Sequence, residues 1–127
     1  MATLIAPIKP QIDPTANQMV SRREISIPAA AIAATGTSDV FYVGDAGTLR
    51  LTQTTSAVSG TSPTLDVTVK TCQTPDGTFV SAGTLTQITG AGSEFKTFAV
   101  GRYVRLDWTL GGSSTPTVTV GFEAEVV

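Results

Sequence analysis

The chain has 127 residues, 41% of them hydrophobic, so it is long enough to bury one core without disulfide or metal support. Charged residues make up only 14%, against roughly 25% in ordinary soluble domains, and the formal net charge is −2. This balance argues against a nucleic-acid-binding protein, which usually presents a basic face. The single cysteine, Cys72, excludes a disulfide within the chain and a cysteine-based zinc site.

Residues 1–23 differ in composition from the rest and predict an extended N-terminal arm. Pro7, Pro10 and Pro14 each remove a backbone donor and favour extended geometry in the preceding residue. A frayed terminus is the alternative. The arm residues predicted to bind a partner are apolar or basic: Leu4, Ile5, Ile8, Ile12, Arg22 and Arg23.

The segment has no basic start followed by an unbroken apolar stretch, so we expect no signal peptide. No window of the chain approaches the roughly 18 apolar residues of a membrane span. We therefore expect a protein that is made in the cytoplasm and does not contact a membrane.

Residues 24–127 predict one β domain. EISIPA (24–29), SDVFYV (38–43) and TLRLTQTT (48–55) are typical of strands, and the last places Leu49 and Leu51 on one face. PAAAIAAT (28–35) fits either a short helical turn or the edge of a strand.

A phrase then occurs twice, as TSPTLDVTVK (61–70) and SSTPTVTVGF (113–122). Each copy is a Ser/Thr-rich loop, a proline, and a strand with apolar residues at alternate positions. Proline is tolerated at the first residue of a strand, so we interpret the repetition as a shared way of starting one. Internal duplication is the alternative, although the spans between the copies do not match.

The remaining segments continue the alternation. QTPDGTF (73–79) predicts a tight hairpin, and further strands are predicted at 79–83, 84–89 and 94–100. GRYVRLDWTL (101–110) shows the strongest period of two, with Val104, Leu106, Trp108 and Leu110 on the inner face and Tyr103, Arg105, Asp107 and Thr109 on the outer face. Arg105 and Asp107 can therefore pair.

Together the segments predict an all-β fold with eight or nine short strands. We expect an antiparallel β-sandwich of jelly-roll type, with an immunoglobulin-like Greek key as the second topology. The predicted domain organisation is an arm over 1–23 and a sandwich over 24–127.

The residues offer little for catalysis. Without histidine, the chain lacks the commonest general base and the commonest transition-metal ligand. The acidic residues fall on outward faces or in turns, where Asp45 and Asp76 could at most contribute to a Ca²⁺ site. We expect no enzyme activity, no cofactor and no metal. Tyr103 and Arg105 are possible outer-face contacts, to a sugar or to another subunit.

The stretch from about residue 47 to 122 resembles small β-sandwich structural proteins of tailed bacteriophage virions, of the capsid cement or decoration type. The residues that carry this resemblance are a PTLDVTV strand, a DGTF hairpin, a RYVR strand and a GG-S-P turn. RYVRLDW is also similar to the penultimate strand of galactose-binding-like sandwiches.

The resemblance implies a protein on the capsid surface that binds the major capsid protein, bridges capsomers and assembles as a homo-oligomer, often a trimer. It also leaves open a head–tail connector, a tail or fibre-base protein, and a carbohydrate-binding module.

Overall fold

The computed structural model describes the backbone of residues 11–13, 18–20 and 23–127, and the side chains of residues 24–127. The described part is all-β and contains no helix, as the sequence predicts. Its strands are β1 (Gln11–Asp13), β2 (Gln18–Val20), β3 (Arg23–Ile32), β4 (Gly36–Thr37), β5 (Phe41–Tyr42), β6 (Thr48–Cys72), β7 (Val80–Thr84), β8 (Gly92–Ala99) and β9 (Tyr103–Val126).

Strands β3 to β9 form one open antiparallel sheet. The order is β3-β9-β6-β7, with β4 and β5 also paired to β9, and β8 also paired to β6. At its centre, β6 and β9 pair from Leu49 opposite Val126 to Cys72 opposite Tyr103. Two strands are not short as predicted, because β6 has 25 residues and β9 has 24.

The two strands are long because the predicted loops between shorter strands face each other and pair. Thr61 lies opposite Ser113, and Thr64 lies opposite Gly111. The register shifts at three places between Thr55 and Thr64. Positive φ angles occur at Gly60, Ser62, Gly112, Ser114 and Thr115. Turn-forming residues here redirect two paired strands without ending them.

Shorter strands complete the sheet at its edges. PAAAIAAT is strand as far as Ile32, with a bulge between Ile27 and Ala30 that accommodates Pro28. SDVFYV is reduced to the two residues of β5, preceded by a hydrogen bond of 2.8 Å from Ser38 N–H to Leu106 O. TLTQIT forms no extended strand and makes one isolated bridge, between Ile88 and Leu65.

The core confirms the alternation in the sequence. Leu65, Val67 and Val69 are at most 1% exposed. Residues from both ends of the long strand pair surround one interior cavity of about 10 Å³, which is at most large enough for a single water. The cavity lining includes Leu49 and Phe122 from one end and Phe41, Val104 and Leu106 from the other.

Two inward residues on β6 were not predicted. Gln53 and Thr55 are 4% and 3% exposed, and they continue the buried face that begins with Leu49 and Leu51. The Thr55 hydroxyl donates a hydrogen bond to the Gln53 side-chain oxygen. Each polar group thus supplies a partner for the other inside the core.

The N-terminal segment is described only in part. β1 and β2 pair with each other in a separate two-stranded antiparallel sheet, with Ile12 opposite Met19. Leu4, Ile5, Ile8 and Arg22 lie outside the described residues. Arg23, predicted as the last residue of the arm, is the first residue of β3 and lies opposite Val126.

Candidate partner-binding surface

The two outer-face residues predicted from the sequence lie together on the first half of β9. Cross-strand pairing places Tyr103 opposite Cys72 and Arg105 opposite Lys70. On the other side of β9, Tyr42 of β5 lies opposite Tyr103. Together, five residues form what we call the aromatic–arginine patch: Tyr42, Phe79, Tyr103, Arg105 and Asp107.

Arg105 is the centre of this patch. Its Nε donates to Asp107 Oδ1 at 2.8 Å and its Nη2 donates to Oδ2 at 3.3 Å, which confirms the predicted pair. The guanidinium carbon also lies 4.4 Å from the centre of the Phe79 ring. A two-point carboxylate contact and a stacked ring hold the guanidinium in one orientation.

The two tyrosines form the other end of the patch. Their ring centres are 5.2 Å apart and the rings are inclined at 56°. Tyr42 is 51% exposed, so much of its ring faces solvent. Exposed tyrosine beside arginine is the composition typical of protein interfaces.

Hydrogen bonds from β6 and the following turn fix the backbone around Tyr103. The Thr71 hydroxyl donates to Tyr103 O at 2.8 Å and accepts the Gly101 N–H at 2.7 Å. The Gln73 side-chain oxygen accepts the Arg102 N–H at 3.3 Å. Three hydrogen bonds therefore fix the backbone that presents the Tyr103 ring.

The sequence prediction missed two members of the patch. Tyr42 alternates with the buried Phe41 and Val43, and this period of two could have identified it as outward-facing. Phe79 follows the PDG turn, and only the return of the hairpin brings its ring over Arg105. No local pattern predicts that contact.

The outer face at the other end of the strand pair has a different character. There β6 places Arg50 opposite Glu125, and β3 places Glu24 on the far side of Glu125. Arg50 Nη1 lies 3.3 Å from Glu125 Oε1. A shallow groove of about 570 Å³ runs over these residues and beside Phe95, which is 63% exposed. We call Glu24, Arg50, Phe95, Glu123 and Glu125 the acidic face.

The described residues offer no metal centre. They contain no group of three or more His, Cys, Asp or Glu residues arranged to hold an ion. Asp66 accepts from the Gln87 amide at 3.1 Å, and Asp45 lies 3.2 Å from Arg102. Cys72 is buried, and its sulfur lies 3.2 Å from a backbone carbonyl oxygen two residues on.

Within the described part of the chain, no helix is long and apolar enough to cross a membrane. Comparison with known proteins identifies no family: no family model matches the chain. A search of curated proteins finds no similar sequence.

Proposed function

We propose that this protein is a structural component of a tailed-bacteriophage virion that decorates the capsid surface and stabilises the shell by bridging capsomers. The observation that carries the proposal is the aromatic–arginine patch, a partly exposed surface with the composition of a protein interface. The low content of charged residues, 14%, fits a part whose outside is covered by partners.

The proposal includes the finer architecture. The two ends of the long strand pair act as the two layers of a sandwich of jelly-roll type. This architecture is supported by the lining of the small cavity, which includes Leu49 and Phe122 from one end of the strand pair and Phe41 and Leu106 from the other end. Inner faces of two layers meet in this way when they share one core.

The proposed mode of action is burial of protein surface, without a reaction. Truncation of a central tyrosine or arginine in an interface costs about 2–4 kcal/mol of binding free energy. Repetition over many identical sites on a shell multiplies a modest contact into firm attachment. The proposed partners are the major capsid protein and further copies of this chain, with a trimer as the expected oligomer.

Co-sedimentation with capsids tests the proposal. The probe is shells assembled from the major capsid protein of the phage that encodes this chain. We expect wild-type protein to pellet with the shells and Tyr103→Ala/Arg105→Ala to lose about tenfold or more in affinity. Arg50→Ala is the control, because Arg50 is an exposed arginine with its own acidic partner on the other outer face. Equal binding by all three proteins would contradict the assignment of the patch.

The arm provides a separate test. We expect a chain that lacks residues 1–22 to fold, because the main sheet begins at Arg23, and to lose capsid occupancy. Circular dichroism checks the fold and co-sedimentation checks the occupancy. Full occupancy by the shortened chain would remove the arm from the proposed contact.

One observation favours a second candidate, a carbohydrate-binding module. Exposed Tyr42 beside Tyr103 and Arg105 offers ring faces and hydrogen-bond donors of the kind that bind sugars. A glycan array distinguishes the two candidates. Binding that Tyr42→Ala abolishes supports the module, and an empty array together with capsid binding supports the decoration protein.

A further inference from the structure

Strand pairing in the main sheet repeats itself. β3 pairs antiparallel with the second half of β9, and β7 pairs antiparallel with the second half of β6. β4 and β5 pair with the first half of β9, and β8 pairs with the first half of β6. Each half of the chain thus contributes edge strands and one long strand, and its edge strands pair with the long strand of the other half.

The register between the two long strands is the same at both ends. Leu49 lies opposite Val126, and Val104 lies opposite Thr71. Leu49 is the second residue of β6, and Val104 is the second residue of β9, so the two occupy equivalent positions in the two long strands. Their partners, Val126 and Thr71, are then equivalent as well.

The correspondence continues toward the middle. Thr55 lies opposite Val120, and Leu110 lies opposite Leu65. Thr55 is six residues after Leu49, and Leu110 is six residues after Val104, so Thr55 corresponds to Leu110. Their partners, Val120 and Leu65, therefore correspond to each other.

The strands on one edge obey the same correspondence. Phe41 of β5 lies opposite Val104, and Phe98 of β8 lies opposite Leu49. Phe41 and Phe98, 5% and 4% exposed, are therefore buried equivalents.

Backbone hydrogen bonds next to these phenylalanines match as well. Val43 N–H donates to Arg102 O at 2.7 Å, and Val100 N–H donates to Gly47 O at 2.9 Å. Both bonds lie two residues after the phenylalanine and two residues before its partner on the long strand.

The other edge shows a matching irregularity. Ile27 and Ala30 are paired with β9 on either side of a two-residue bulge. Leu85 N–H donates to Val67 O, and Ile88 forms its bridge with Leu65, so two residues again lie between the contacts. Ile27 thus corresponds to Leu85, and Ala30 to Ile88.

We infer that residues 23–72 and 80–127 are two copies of one structural unit whose edge strands are exchanged between the copies. Internal duplication, the alternative interpretation of the repeated phrase, is therefore the one that the pairing supports. The phrase itself is two residues out of step, because it aligns Leu65 with Val118 whereas the pairing aligns Leu65 with Val120.

The two outer faces are then two versions of one surface. Arg50, opposite Glu125, corresponds to Arg105, opposite Lys70. Both arginines pair with a carboxylate, but Arg50 uses Glu125 across the strands and Arg105 uses Asp107 on its own strand.

Equivalent positions that carry different residues show where the two surfaces can differ in what they bind; this step rests on the proposed function. Lys70 corresponds to Glu125, and both are half-buried. The two tyrosines of the patch correspond to small residues at the acidic end, which is the end of the strand pair that carries the acidic face. Tyr42 lies opposite Tyr103, and at the equivalent positions Ala99 lies opposite Thr48.

The acidic end shows that this unit folds with an alanine, a threonine and a glutamate at those places. Tyr42, Lys70 and Tyr103 are therefore not required by the fold of the unit. We assign them to recognition of the major capsid protein, to which they offer two aromatic rings and a positive charge.

The test replaces each of the three residues by its own equivalent, in the variant Tyr42→Ala/Lys70→Glu/Tyr103→Thr. We expect its melting temperature to stay within a few degrees of wild type and its affinity for the capsid shells to fall at least tenfold. The matched control makes the reverse exchange at the acidic end, in the variant Thr48→Tyr/Ala99→Tyr/Glu125→Lys. This control should keep wild-type affinity for the shells.

The possible failures are distinguishable. Loss of cooperative unfolding in the first variant, and in its three single substitutions, would overturn the equivalence of the two units. A folded variant with wild-type affinity would overturn the assignment of these residues to recognition. Failure of the wild-type protein to bind shells would instead count against the proposed function and leave the equivalence standing.

Discussion

The long strand pair contains two kinds of region, its ends and its middle. At the ends, β6 and β9 form regular ladders whose inner side chains are buried, such as Val67 opposite Trp108. In the middle, around Thr61 and Ser113, the register shifts and the side chains are exposed. The ends thus stabilise the fold through buried side chains. The middle changes the direction of the two strands through register shifts and positive φ angles.

The largest expected effect comes from Trp108, at a packed end. Its ring is 5% exposed and its Nε1 donates to Ala34 O at 3.1 Å. Trp108→Ala should cost about 3–5 kcal/mol of unfolding free energy, measured by chemical denaturation. Trp108→Phe is the control that keeps most of the volume, and it should lose clearly less. Similar losses in the two variants would show that packing at this end contributes little.

Next in size is a backbone effect in the middle. Gly60 has a φ of +97°, and a Cβ there would lie 2.7 Å from Pro116 Cα on the facing strand. Gly60→Ala should therefore cost about 3 kcal/mol, since a non-glycine residue at an unfavourable φ costs about 1–3 kcal/mol before the clash. Gly90→Ala is the matched control, because a Cβ there would meet nothing within 4 Å and its φ is outside the left-handed region. If both substitutions are neutral, the middle does not depend on glycine geometry.

A smaller effect is expected from the buried polar pair. Thr55→Val removes the hydroxyl that donates to Gln53 and keeps the side-chain shape. It should cost about 1–2 kcal/mol, because the Gln53 oxygen remains buried without that donor. The exposed Thr54→Val is the comparison, with little expected change in the midpoint of denaturation. A stabilised Thr55→Val would mean that Gln53 finds another donor.

The smallest effect is expected on the surface of a packed end. Arg50 and Glu125 are 3.3 Å apart, and their side chains are 48% and 26% exposed. Arg50→Ala should lower stability by at most about 1 kcal/mol, and less at high salt. A double-mutant cycle with Glu125→Ala measures the coupling. A coupling well above that value would show that the acidic face is less solvated than its exposure indicates.

The sequence predicts the ends of the long strands better than their middle. The period of two correctly places Leu65, Val67 and Val69 inside, because alternation is a local property of a strand with one buried face. Ser, Thr, Gly and Pro in the middle predict loops, since those residues usually end strands. Only the pairing of two such segments with each other lets the strands continue, and this non-local contact leaves no local pattern.

The candidate surface was predictable to the same extent. Tyr103 and Arg105 follow from alternation, and the pairing of Arg105 with a carboxylate two residues on follows from spacing. Phe79 reaches Arg105 across a hairpin, and Tyr42 reaches Tyr103 across a strand pair, so both need the tertiary fold. The correspondence of the two units depends on strand exchange, and the repeated phrase indicates it only faintly because it is out of step with the pairing.

The pairing of Arg23 with Val126 has a mechanical consequence. A pull applied between these two positions loads the β3–β9 ladder at one end, so its hydrogen bonds break one after another, as in a zipper. A pull along the β6–β9 ladder in opposite directions would instead load many bonds at once. A cargo fused near residue 126 and pulled against an anchor near residue 23 would therefore separate β3 from β9 at low force. Attachment of the cargo through the turn after Cys72 would not load the β3–β9 ladder in this way.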